Sequence, residues 1–262
     1  MGVKGLGGVF SIRASTSSRV GLFVMAPFQS ARLKVGRANH HIRDLNTKIE
    51  SLIKDRPFVL VFNDNPKDPG KSLLVQTEVI GNLYGREASI SLVAGDAIHN
   101  LRTALDLLAV ELVAKAGQKT DDVYFPFCKD GDALEDMIKR RNIHRAGEDV
   151  VAIIRDIKPY PGGNDALRAI HDLDIADKHT GLIRAGTNGT IPNEAYDPDV
   201  ETFVGRKGFK PKAGDKIDLS INVLFAKGLP FAEKPVVETL HQFSHLTAGI
   251  IDVFAQLPRF RN

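Results

Sequence analysis

The stretch GDAIHNLRTALDLLAV, Gly95–Val110, decides the fold class. At 100° per residue, Ile98, Leu101, Leu105 and Leu108, continued by Leu112, fall on one side. An apolar stripe of that width marks a helix packed on a core by one face. The other side collects Asp96, His99, Thr103 and Asp106, with Asn100 and Arg102 on its flanks. His99 is three residues from both Asp96 and Arg102, and Asp106 is four from Arg102, so all are neighbours on the helix surface. The ordinary fate of such a face is solvation with weak ion pairs. A second polar helix face changes that reading.

Working outward, Ala38, Ile42, Leu45, Ile49 and Leu52 predict an amphipathic helix over Ser30–Lys54, which Pro57 stops. PFVLVF and KSLLVQTEVI, on either side of NDNPKDPG, predict a hairpin. The helix of the opening stretch is expected to run from Glu87 to Lys115, with Gly117 as its stop. Short helices are expected over Asp132–Arg141 and Glu148–Ile157, and a longer one over Asp165–Ile183. The last carries Leu167, Ile170, Leu173 and Ile175 at helix-compatible positions. Ala185–Gly214 is rich in Gly, Pro and Asn and is expected to form loops with short strands. KIDLSINVLFA alternates Ile217, Leu219, Ile221, Val223 and Phe225 with polar residues, the pattern of a half-buried antiparallel strand. Pro235 is placed as the first residue of a long C-terminal helix, with Val236, Leu240, Phe243, Ile250, Phe254 and Leu257 along one face. The fold class is therefore α+β, mainly helical, with a small antiparallel sheet and a long C-terminal helix. The two strand regions are expected to meet in one sheet.

The chain has 262 residues, 43% hydrophobic and 26% charged, with a net charge of +3. That is the composition of a globular protein, and the charge alone does not predict nucleic-acid binding. No apolar run approaches the roughly 20 residues of a membrane span. The single cysteine, Cys128, excludes an intramolecular disulfide, fits a cytoplasmic location and reads as a small core residue. No acidic residue precedes Asp44, and the first residues are rich in Gly, Ser and Arg. Residues 1–25 are read as a disordered basic tail, a targeting peptide or a mis-assigned extension ahead of a true start at Met25, the last being preferred because the patterned sequence begins there, and 26–262 as a single α+β domain.

The helix expected from Asp165 mirrors the opening stretch. His171, Asp174 and Lys178 share a face, Asp172 and His179 lie on its edge, and Asp177 is on the far flank. The candidate catalytic residues are Arg102, His99, Asp106, His171 and His179. The candidate binding residues are Asp96, Asn100, Asp174, Asp177 and Lys178. GRKGFKPK, Gly205–Lys212, is a further candidate nucleic-acid contact, since Phe209 is set among Arg206, Lys207, Lys210 and Lys212.

Together these motifs resemble a large family of functionally uncharacterised bacterial proteins. The matching residues are Gly95-Asp96, His99-Asn100-Leu101-Arg102, Ala104-Leu105-Asp106, Phe125-Pro126-Phe127, Lys158-Pro159-Tyr160, His171 and Asp177-Lys178-His179. More distantly, the first helix is similar to the HEPN group of helical nucleotide- and RNA-associated domains. Many of those are ribonucleases with an Arg and, five or so residues on, a His. The resemblance implies a helical core, RNA or a nucleotide as partner, and a homodimer. It implies an Arg that binds the scissile phosphate and a His that transfers protons. Here Arg102 is present, but the fifth residue on is Leu107.

Three functions follow as expectations. The first is an HEPN-like binding or regulatory module that holds RNA or nucleotide through Arg102, His99, Asn100 and Lys178 without cleaving it. The second is a ribonuclease using Arg102 with His99, His171 or His179. The third is a metal-dependent hydrolase using His99, Asp96, His171, Asp174 and His179, although HDLD and DKH are not a closed metal spacing. No metal or other cofactor is assigned. A fourth possibility has the polar faces meeting inside the fold as a structural network.

Overall fold

The computed structural model describes residues 27–55, 57–64, 66–67, 73–79, 81, 83–180, 185–190, 196–197, 202–203, 212–214, 216–218 and 220–261. Among the described residues six α-helices dominate: α1 (Gln29–Lys54), α2 (Leu83–Lys115), α3 (Leu134–Arg140), α4 (Glu148–Ile157), α5 (Asp165–Thr180) and α6 (Val236–Ala255). The fold is mainly helical α+β, with short antiparallel sheets and a long C-terminal helix.

The expected apolar stripes are the buried ones. Ala38, Ile42, Leu45, Ile49 and Leu52 of α1 are buried, as are Ile98, Leu101, Leu105, Leu108 and Leu112 of α2. With Leu167, Ile170 and Leu173 of α5, and Val236, Leu240, Phe243, Ile250 and Phe254 of α6, they form one hydrophobic cluster. Removal of these side chains from water is the main force holding the helices together. The α1 N-terminus has no side-chain cap of its own. Instead the Ala31 N–H donates to Glu111 Oε1 of α2 at 3.2 Å, which satisfies one of its open donors from across the helix pair. Gly117, at φ 70°, turns the chain out of α2, and its N–H donates to Ala114 O.

The hairpin forms as expected. Strands β1 (Phe58–Asp64) and β2 (Leu73–Val79) pair antiparallel from Phe58↔Val79 to Asp64↔Leu73. Later strands are β3 (Ala185–Thr190), β4 (Tyr196–Asp197), β5 (Thr202–Phe203), β6 (Lys216–Asp218) and β7 (Ser220–Phe225). The alternating run does not stay in one sheet. Its first part, β6, adds to the hairpin beside β1 (Val59↔Asp218), whereas β7 pairs with β3 (Ala185↔Phe225). The two strand regions therefore do meet, and the chain then leaves for a second sheet; β4 and β5 form a third pair. A period of two says which face of a strand is buried and nothing about which partner it takes.

Smaller corrections have local causes. Leu134 rather than Asp132 begins α3. Pro235 is the N-cap of α6 rather than its first turn, and its carbonyl accepts the Thr239 N–H. Leu257 lies past the end of α6 and still packs on the core. Ile175 is exposed, because two residues on from Leu173 is the opposite side of a helix. Residues 1–26 and 204–211, which include most of the basic loop, lie outside the described residues. No helix among the described residues is long and apolar enough to cross a membrane.

Candidate functional site

The polar faces of α2 and α5 meet as an antiparallel ladder. At its first rung Gly95 admits the Asp177 carboxylate, since a Cβ on Gly95 would stand 2.8 Å from Asp177 Oδ2. One turn on, His99 Nδ1 lies 3.0 Å from Asp174 Oδ1. One turn further, Arg102 Nε donates to His171 Nδ1 at 3.1 Å. Residues 95, 99 and 102 thus meet 177, 174 and 171 in reverse order. Steps of three and four on each helix keep both sets on facing stripes.

The ladder ends on a connector. Asp106 Oδ1 accepts the Phe125 backbone N–H at 2.9 Å, and its Oδ2 lies 2.6 Å from Arg102 Nη1. Nη1 is sealed from solvent and has no angularly correct acceptor, so this contact is an ion pair rather than a directed hydrogen bond. Pro126 then carries the Phe127 ring onto His171, stacked at 4.6 Å, with the Arg102 guanidinium 4.6 Å from the Phe127 centroid. Arg168 fastens the next residue by donating to Cys128 O at 2.6 Å while holding Asp172 four residues on along α5. The Cys128 N–H donates to Pro159 O. The described parts of the family-like motifs around Gly95–Asp106, Phe125–Phe127, Pro159 and His171–Asp177 therefore border one polar layer between α2, α5 and the connector.

The two arginines of this layer each face a carboxylate, Arg102 that of Asp106 and Arg168 that of Asp172. The Arg102 side chain is only 12% exposed, yet its cation faces Asp106. Burial, reinforced by the Arg102 and Arg168 cations, pulls the His171 pKa down to about 4. Since Nδ1 accepts from Arg102, the proton of this neutral ring sits on Nε2. His171 is thus a donor with no free lone pair, and neither a ready base nor a ready acid near neutrality. His99 differs. Its side chain is half exposed, the Asp174 side chain behind its Nδ1 is only 6% exposed, and Thr103 Oγ1 is 3.5 Å from its Nε2. Burial pushes the Cys128 thiol up, and the thiol donates to Asp130 O.

Not every expected residue joins the layer. Asp96 and Asn100 turn toward α1. Asn100 Nδ2 donates to Asp96 O, and Asn100 Oδ1 accepts from Lys34 Nζ at 3.4 Å. Asp96 Oδ2 is 4.0 Å from His41 Nδ1, in a ring whose pKa burial and the Arg37 cation lower. The side chains of Lys178 and His179 lie outside the described residues. Leu107 is partly buried against the core. Among the described residues no three His, Cys, Asp or Glu side chains converge as a metal site. Sequence reasoning missed Arg168. Its spacing from Asp172 reads as an ordinary ion pair, and only the tertiary fold brings it to the connector.

Beside the ladder, between α3, the connector and α5, lies an open cleft of about 430 Å³, lined by Phe127, Met137, Arg140, Arg141, Arg168 and His171 among others. None of the family models, characterised proteins or solved structures compared with this chain matches it. The resemblance to HEPN domains therefore rests on its motifs alone.

Proposed function

We propose that this chain is a binding or regulatory module on an HEPN-like helical core, which holds RNA or a nucleotide without cleaving it. The observation that carries this reading is the state of Arg102. The guanidinium that the resemblance would assign to a scissile phosphate is buried and occupied by Asp106 and His171. The residue in the place of the catalytic histidine is Leu107. The basic cleft beside the ladder supplies cations for a phosphate without drawing on the ladder itself.

The ribonuclease reading has one observation in its favour, the half-exposed His99 oriented by buried Asp174. A carboxylate on Nδ1 leaves Nε2 as the working nitrogen of a general base. One experiment separates the two. Purified protein is mixed with end-labelled single-stranded RNA, with and without EDTA, and both retention and cleavage are followed. Binding without products is expected. Its affinity should fall with salt at a log–log slope of about −0.7 per phosphate contacted. EDTA-resistant cleavage that vanishes in His99→Ala would replace the binding reading with the nuclease. Absence of both binding and cleavage would reject both.

A further inference from the structure

We propose that the cleft between α3, the connector and α5 is the ligand site, and that it takes a phosphomonoester carrying a planar body, as in a nucleotide or the 5′-phosphorylated end of an RNA. This inference rests on the binding reading above and gives it a location, beside the α2–α5 ladder, with which it shares only the outer edge of His171.

Size, charge and lining carry the assignment. The cleft holds about 430 Å³, within the range of roughly 300–1,000 Å³ typical of small-ligand pockets. Arg140 and Arg141, consecutive at the end of α3, line it and enter none of the ion pairs among the described residues. Arg141 lies 5.3 Å from the Tyr124 ring centroid, which holds its guanidinium in place while its charge stays uncompensated. Lys129 adds a third, largely exposed cation at the rim, 3.6 Å from Asp130. The fourth, Arg168, is spent on Asp172 and Cys128 O and belongs to the frame. Against these the cleft wall itself sets one carboxylate, Asp136. Two neighbouring free guanidiniums suit the several oxygens of a phosphomonoester.

The remaining wall is apolar, from Ala133, Met137 and Phe127. His171 adds a neutral ring whose Nε2–H has no described protein partner. A flat heterocycle with hydrogen-bond acceptors matches such a wall, whereas a bare phosphate would leave it wet and unused. Cations near the end of α3 also suit its carbonyl dipoles, but that role asks for neither an apolar wall nor a cavity.

The test uses the full chain and three probes: AMP, a short single-stranded RNA with a 5′-phosphate, and the same RNA with a 5′-hydroxyl. Binding is followed by calorimetry for the wild type and for Arg140→Ala/Arg141→Ala. Tenfold or greater weakening of a phosphomonoester probe in the double variant, with an unchanged melting temperature, is the expected result. Should the double variant lose its fold, Arg140→Glu at an exposed position serves in its place. AMP binding alone assigns the site to a free nucleotide. A preference for the 5′-phosphate over the 5′-hydroxyl assigns it to an RNA end. Probes that bind both proteins equally well would overturn this location and leave the binding reading standing. Failure of all three probes to bind the wild type would remove both.

Discussion

Arg102 shows how one side chain can look functional in a sequence and be structural in a fold. On the helix wheel it flanks a polar face, where solvation is the default. In the tertiary structure it is desolvated, with Asp106, His171 and the Phe127 ring around it. Removing one member of a buried charge network leaves the others unpaired, so Arg102→Ala is expected to lower stability by about 3–5 kcal/mol. Urea denaturation of the purified variant measures this directly. A loss below about 1 kcal/mol, the range of exposed ion pairs, would mean that the residue is solvated and free to meet a ligand. The Arg102–Asp106 pair was legible from a spacing of four. The Arg102–His171 bond was not, because 69 residues of chain separate the partners and only packing brings them together.

At the scale of the element, α1, α2 and α6 were readable because their apolar residues recur at helical spacing and bury as a stripe. The ends of α3 and α6, and the division of KIDLSINVLFA between two sheets, were not, since partner choice and capping depend on what lies alongside. Glycines inside the helices carry the same contrast in their energetics. Gly36 in α1 and Gly249 in α6 face open space, so a methyl group added at either would meet no neighbouring atom. Replacing either by Ala should stabilise the protein by about 0.5–1 kcal/mol through helix propensity. Gly95→Ala is expected to do the opposite, by about 1 kcal/mol, because the methyl must displace the Asp177 carboxylate. Thermal denaturation of the three variants side by side is the check. A Gly95→Ala protein as stable as Gly36→Ala would mean that Asp177 swings away freely and that this rung of the ladder contributes nothing.

At the scale of the whole molecule, the ladder links acidity to stability. His171 titrates near 6.5 in an unfolded chain and at about 4 in the folded one. Between those values the unfolded chain binds the extra proton, so stability rises with pH there. The contribution is complete above about pH 6.5 and is lost as pH falls toward 4. The slope from this one group cannot exceed about 1.4 kcal/mol per pH unit. Denaturation curves from pH 4 to 7 should therefore be steeper for the wild type than for His171→Asn. Parallel curves would show that the buried imidazole is not what titrates. The sequence by itself determined the fold class, the principal helices, the hairpin and the two polar faces, because each is written in local periodicity and spacing. Only the tertiary structure decided that those faces meet rung by rung, that Asp96 and Asn100 turn away to α1, and that Arg140 and Arg141 stand together beside the ladder. The physical reason is that pairing, burial and the charge balance they impose depend on neighbours distant in the chain, which no local pattern records.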